Sequence, residues 1–142
     1  MRTSARNMVR GVVTSIVHGP VNAEVGIWVS ERVVLDAVIT NGSVDHLRLK
    51  PGGDVIALIK STFITLAHDM PGLRLSARNR IGGVVKRLAE GSVETEVTMD
   101  IGGGTELVAL VTSQSARDLE LAPGAPVLAC VKASHIILAV EE

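Results

Sequence analysis

Apolar positions in this chain recur mostly with a period of two, or in short continuous runs broken by turn residues, which is the pattern of strands. Residues 9–17 read as a long strand ending at His18-Gly19-Pro20, and residues 22–29 and 33–39 as two more. Thr40-Asn41-Gly42-Ser43 then opens a short helix, since Thr40 or Asn41 can accept hydrogen bonds from the free N–H groups of a first turn. That helix turns Leu47 inward and stops at Lys50-Pro51-Gly52-Gly53. Residues 54–61 and 62–67 supply the last strands. The scheme returns in the second half, with Gly102-Gly103-Gly104 as a hairpin turn and residues 112–119 as the short helix. Five short strands with one helix before the fourth predict an all-β class built from small closed barrels of the OB type, with a two-sheet sandwich as the alternative.

The return is a duplication. Shifted by 72 positions, residues 3–68 align with 75–140 without a gap. Ser4-Ala5-Arg6-Asn7 falls on Ser76-Ala77-Arg78-Asn79, Gly11-Val12-Val13 on Gly83-Val84-Val85, and Pro51-Gly52 on Pro123-Gly124. Roughly 25 of about 66 pairs are identical, where chance would leave a few. The expected organisation is a first module over 1–68, a linker over 69–74 containing Pro71-Gly72, and a second module over 75–142. Each module is short for a self-sufficient core, and the mean hydropathy is +0.37. Modules are therefore expected to pack on each other and on other chains.

Composition narrows the function classes. Hydrophobic residues make up 46% of the chain but aromatics only 1%, namely Trp28 and Phe63, so the apolar content is aliphatic and largely β-branched. With a net charge of −1 and few aromatics, neither a basic groove nor stacking platforms for nucleic acid are expected. The single cysteine, Cys130, excludes an intrachain disulfide and suits a reducing compartment. The polar start Met1-Arg2-Thr3-Ser4 lacks the apolar stretch of a signal peptide, and no apolar run has the length of a membrane helix. A cytoplasmic protein with no membrane partner is the expectation.

The polar positions that repeat carry the chemistry. Ser4, Arg6, Asn7, Glu24, Thr40, Ser43 and Lys60 pair with Ser76, Arg78, Asn79, Glu96, Thr112, Ser115 and Lys132. All but the glutamates can donate a hydrogen bond. On an extended segment Ser4 and Arg6 would project to one side; Thr40 and Ser43 bracket a helix start, where N–H groups favour an anion; Lys60 ends an aliphatic strand. Taken alone, the arginine or lysine reads as a solvated charge and the Thr/Ser pair as a cap. Asn7 and Glu24 read as structural. Repeated in register, the donors form a set suited to a fully deprotonated oxyanion, and no carboxylate is expected beside them to accept a proton from a phosphate. Charge-assisted bonds contribute roughly 1.5–3 kcal/mol each, so three or four support a dissociation constant of about micromolar or tighter.

These residues resemble the molbindins, the molybdenum-pterin-binding or Mop-domain family. The resemblance rests on Thr3-Ser4-Ala5-Arg6-Asn7, Gly19-Pro20-Val21-Asn22-Ala23-Glu24-Val25, Ala37-Val38-Ile39-Thr40 with Ser43, Leu49-Lys50-Pro51-Gly52 and Ala57-Leu58-Ile59-Lys60-Ser61, and it covers nearly the whole chain twice. It implies tandem OB-like five-stranded modules that bind molybdate or tungstate between subunits, with no organic cofactor. Ser4, Ala5 and Arg6 would then face Thr40, Ser43, Lys60 and Ser61 of another module, and Ser76, Ala77 and Arg78 would face Thr112, Ser115 and Lys132. Ala133 stands where the first copy has Ser61, and Val21 and Asn22 are further backbone candidates, although Asn22 becomes Glu94 in the second copy. Single-module relatives form hexamers, so a two-module chain implies a homotrimer, and a free-standing store or buffer is the expected role.

Three rival readings stand against this one. An OB-fold nucleic-acid binder lacks its aromatics here. An enzyme lacks its site, because His18, His46, His68 and His135 have no histidine counterparts 72 residues away, Cys130 pairs with Leu58, and the triple glycine lacks the Gly-Lys-Ser/Thr of a phosphate loop. The same fold binding another tetrahedral oxyanion, such as sulfate, is not separated by sequence, because that choice depends on pocket width.

Overall fold

A computed structural model describes residues 1–142. The first half folds as β1 (Asn7–His18), β2 (Asn22–Ser30), β3 (Val33–Thr40), α1 (Asn41–Leu47), β4 (Asp54–Ile59) and β5 (Thr65–Ala67). The second half repeats it as β6 (Asn79–Glu90), β7 (Glu94–Asp100), β8 (Glu106–Thr112), α2 (Ser113–Asp118), β9 (Pro126–Val131) and β10 (Ile137–Ala139). The expected all-β, OB-like modules with one helix before the fourth strand are present. One local difference concerns the end of each module. Where continuous strand was expected after residue 59, the Phe63 N–H turns back to the Lys60 carbonyl at 3.0 Å, making a 3-10 turn over Ser61–Phe63. His135 and Lys132 do the same at 2.9 Å.

That turn redirects the chain, and the consequence is an exchange of strands. The two sheets run β10-β4-β1-β2-β3 and β5-β9-β6-β7-β8, all antiparallel. Each sheet thus takes four strands from one repeat and its fifth from the other. Ile137, Leu138 and Ala139 pair with Leu58, Ala57 and Ile56; Thr65, Leu66 and Ala67 pair with Cys130, Ala129 and Leu128. The sheets therefore do not coincide with the sequence modules 1–68 and 75–142. Without the visiting strand, the outer edges of β4 and β9 would be left unpaired. Burial follows the same logic. One continuous cluster joins Val25, Ile27, Leu35 and Ile59 to Val97, Met99, Leu107 and Val131, and it includes the exchanged Leu66 and Leu138.

Close strand approach bends the long first strands. A Cβ on Gly11 would lie 2.6 Å from Ile27 Cγ2 and 2.7 Å from the Trp28 carbonyl oxygen, so only glycine lets β1 cross β2 there. The register of β1 against β2 also slips between Val13 and Ser15, which adds to the local bend and twist.

The far edge of each sheet is read by an asparagine of the other repeat. Asn7, 3% exposed at the start of β1, donates from Nδ2 to the Val108 carbonyl at 2.9 Å and accepts the Val108 N–H at Oδ1, 2.7 Å away. Asn79, 2% exposed, makes the same pair with Asp36 at 2.9 and 2.7 Å. A second Nδ2 hydrogen reaches the Ile59 and Val131 carbonyls, each at 3.1 Å. Each carboxamide thus acts as a one-residue strand on β8 or β3, and both of its N–H donors are used.

Two outcomes follow. Asn79→Leu leaves the Asp36 N–H and carbonyl without partners and is expected to lower stability by about 2–4 kcal/mol, read as a fall in denaturation midpoint with an unchanged slope; a loss below about 0.5 kcal/mol would contradict the clamp. A fragment of residues 1–74 can complete its sheet only with the β5 of a second copy. Light scattering is expected to show a dimer or a higher multiple, and a folded monomer would contradict the exchange.

Candidate oxyanion site

The clamp places the arginines. Arg6 and Arg78 immediately precede the anchored asparagines, so each leaves its strand end beside the other repeat. Arg6 donates to both carboxylate oxygens of Glu96 on β7 from its two terminal guanidinium nitrogens, at 2.6 and 3.1 Å. Arg78 reaches Glu24 on β2 at 2.8 Å and Asp36 on β3 at 3.7 Å. The expectation that no carboxylate stands beside the donor set is therefore corrected. The repeated glutamates are the only repeated polar residues without a donor, and they supply the counter-charge for the repeated arginines across the repeat boundary. Their shared repetition with the arginines was the available signal. Asp36 carried none, since its counterpart is Val108.

The segment before β1 is also less extended than expected. The chain bends at Ser4 and Arg6, and the Ala5 N–H donates to Thr3 Oγ1 at 3.2 Å, so the same-side argument for Ser4 and Arg6 does not hold.

At the helix starts the two repeats agree. Thr40 Oγ1 accepts the Ser43 N–H at 3.0 Å and donates its own hydrogen to Ser43 Oγ at 2.8 Å. Thr112 and Ser115 do likewise at 3.1 and 2.7 Å. Threonine is thus the cap, and the relay leaves the serine hydroxyl hydrogen free to point outward. The helices have seven and six residues, so most of the polarity here resides in that hydroxyl rather than in a helix dipole. Val21 and Asn22 belong to the turn that supports the first helix. The Val21 carbonyl accepts the Asn41 N–H at 2.9 Å, and the Asn22 carbonyl accepts the Gly19 N–H at 2.7 Å.

Each lysine follows its fourth strand directly and opens a 3-10 turn. The ion pairs of the chain involve neither Lys60 nor Lys132. Lys60 Nζ lies 5.4 Å from the centre of the Phe63 ring, a cation–π distance. Phe63 stacks on His135, its equivalent in the other repeat, with ring centres 4.5 Å apart. Ser61 is half-buried and Ala133 buried.

Two cavities collect parts of the donor set. One, of about 270 Å³, is lined by Ser76, Ala77, Lys132 and His135 together with Phe63 and Thr65 of the first repeat. The other, of about 410 Å³, is lined by Thr40, Ser43 and His46 together with Ser134 and Ile136 of the second repeat. The helix cap of the first repeat therefore shares its cavity with the turn of the second, and not with Lys60 and Ser61 of its own. In the same crossed sense the Ser61–Phe63 turn packs on β8, the strand that leads to Thr112. Within one chain, the two arginines, Ser4 and the Thr112–Ser115 cap stay outside both cavities. Cys130 lines the first cavity, but burial pushes its thiol above the ordinary range, which disfavours the reactive thiolate. No three His, Cys, Asp or Glu side chains cluster as a metal ligand set.

Comparison with known proteins identifies this arrangement. The TOBE domain model matches residues 3–66 and again 75–138. The chain is 45% identical to the molybdenum-pterin-binding protein MopA of Rhodobacter capsulatus, over 98% of this chain and 52% of that protein. It is 41% identical to the molybdenum transport protein ModE of Azotobacter vinelandii, over 99% of this chain and 52% of that one. The chain spans about half the length of these curated relatives. Among solved structures, the cytoplasmic molybdate-binding protein ModG, crystallised with molybdate bound, superposes with a TM-score of 0.96 at 42% identity, covering 99% of this chain and 100% of that one. Two matches to one domain model, over nearly the whole sequence, show that the chain belongs to the TOBE-domain family and carries two Mop-type copies in tandem.

Proposed function

We propose that this protein binds molybdate, and tungstate as its near-isosteric analogue, at sites completed between copies of the chain. The observation that carries the reading is the superposition on a molybdate-bound protein along both full chains. The residues supply a physical reason. Molybdate is a tetrahedral dianion at neutral pH whose oxygens only accept hydrogen bonds. Free lysine ammonium groups, outward serine hydroxyls and the main-chain N–H groups around Ser4 and Ser76 all donate.

One chain divides those donors among separate cavities and edges. Ser76 and Ala77 already share a cavity with Lys132 of the same chain, and β1 runs beside β4 with Asn7 opposite Ile59, so a second copy that laid a helix cap, Thr40–Ser43 or Thr112–Ser115, against such a segment would close the shell. A homotrimer of the two-repeat chain offers each such contact three times. The role that fits is a cytoplasmic, non-catalytic reserve that holds the oxyanion and releases it. The chain contains no helix long and apolar enough to cross a membrane. Some relatives are regulators, such as the transcriptional regulator ModE of Yersinia pestis, 34% identical over 98% of this chain and 53% of that protein. Within the residues present here, one Trp, one Phe and a net charge of −1 offer nucleic acid little to grip.

Calorimetric titration with sodium molybdate is expected to give micromolar or tighter binding. Arg6→Ala and Lys60→Ala should each weaken it by about 1.5–3 kcal/mol without lowering the unfolding midpoint appreciably. Unchanged affinity in both variants would defeat the site. Parallel titrations with tungstate and sulfate distinguish the oxyanions, and tighter sulfate binding would reassign the ligand. Light scattering of the purified protein is expected to give three times the 14.9 kDa chain mass, with molybdenum or tungsten found by elemental analysis; a monomer that binds fully would rule out shared sites.

A further inference from the structure

The arginines of the two repeats do not stand among equal charges. We propose that position 36, with its counterpart 108, makes the two oxyanion sites of this chain unequal in affinity, the site served by Arg78 being the weaker. The proposal rests on the oxyanion reading above.

The asparagine clamp leaves little freedom in this matter. Asn79 binds both main-chain groups of Asp36, and Asn7 binds both main-chain groups of Val108. Each asparagine follows its arginine directly, so Asp36 is held beside Arg78 and Val108 beside Arg6. The guanidinium of Arg78 is accordingly shared by Glu24 at 2.8 Å and Asp36 at 3.7 Å, whereas that of Arg6 is paired with Glu96 alone. A dianion approaching Arg78 meets one more negative charge than a dianion approaching Arg6. Asp36 is 30% and Arg78 58% exposed, so water and salt screen the repulsion. A weakening of about three- to tenfold is the scale expected for one such charge.

A second difference falls on the same side. The cavity holding Ser76 and Ala77 also holds Lys132, whose turn begins with Ala133 where the first repeat offers the Ser61 hydroxyl. Removing the charge at position 36 should therefore narrow the gap between the sites without closing it.

The test uses the intact chain and the variants Asp36→Val, Asp36→Asn and Val108→Asp. The first and last give each strand the residue its counterpart already carries, so both are compatible with the fold. Sodium molybdate is titrated into each protein by calorimetry at low salt and at about 0.5 M salt. Two classes of site are expected in the unmodified protein. Asp36→Val should tighten the weaker class about three- to tenfold and leave the stronger one alone. Asp36→Asn should reproduce most of that gain, while Val108→Asp should weaken the stronger class by a similar factor. All three changes should shrink at high salt, which a packing effect would not do. If unmodified protein binds molybdate but Asp36→Val and Val108→Asp leave every affinity unmoved, this inference falls and the function stands. If unmodified protein binds no molybdate, both fall together.

Discussion

When β4 ends at Ile59 its outer edge would face water unless another strand covered it, and the strand that covers it is β10 from the far end of the chain. Its mirror contact, β5 on β9, obliges the two repeats to fold as one object. Everything near the candidate site inherits this geometry. The 3-10 turns that follow Lys60 and Lys132 are the crossing points, which is why each turn packs on the third strand of the opposite repeat. The asparagine clamps then fasten the remaining free edges, β3 and β8, to the strand starts beneath the two arginines. Donors that lie within one repeat in sequence are therefore dealt out across two in space.

Much of this is legible in the sequence. Period-two runs located the strands to within a few residues, and Thr40 was identifiable as a cap because threonine before a short polar stretch satisfies a first turn. The self-alignment exposed the duplication and the polar set. What remained hidden had physical reasons. Strand exchange preserves every local pattern, since β5 and β10 look the same whichever partner they choose. The pairing of Arg6 with Glu96 joins residues 90 positions apart, and nothing local announces it. The bend at Ser4 depends on Thr3 accepting the Ala5 N–H, a contact that threonine or serine makes in many contexts. The crossed sharing of the cavities follows from the exchange and could not be read without it.

The electrostatics of the site rest on a balance. Arg6 and Arg78 are each paired with a carboxylate of the other repeat, so their charge is already largely answered, while Lys60 and Lys132 make no ion pair. An anion drawn to either arginine would compete with its glutamate, whereas at Lys60 it would meet an ammonium whose neighbour is the Phe63 ring. The arginine–glutamate pairs also tie β2 and β7 to the segments bearing Ser4 and Ser76, and they orient those segments before any ligand arrives. Since both pairs are partly exposed, their contribution to stability is small and their value lies in direction.

The stacking of Phe63 on His135 has a further meaning. Equivalent positions touch only where a local dyad passes between them, and in a protein made of identical single copies the residue at such a point must be compatible with its own image. Linking two copies in one polypeptide lifts that condition: the ring on one side can change while the other stays. A benzyl group facing an imidazole is a combination that self-pairing forbids, and two copies joined in one chain make it available at this partly exposed seam between the repeats.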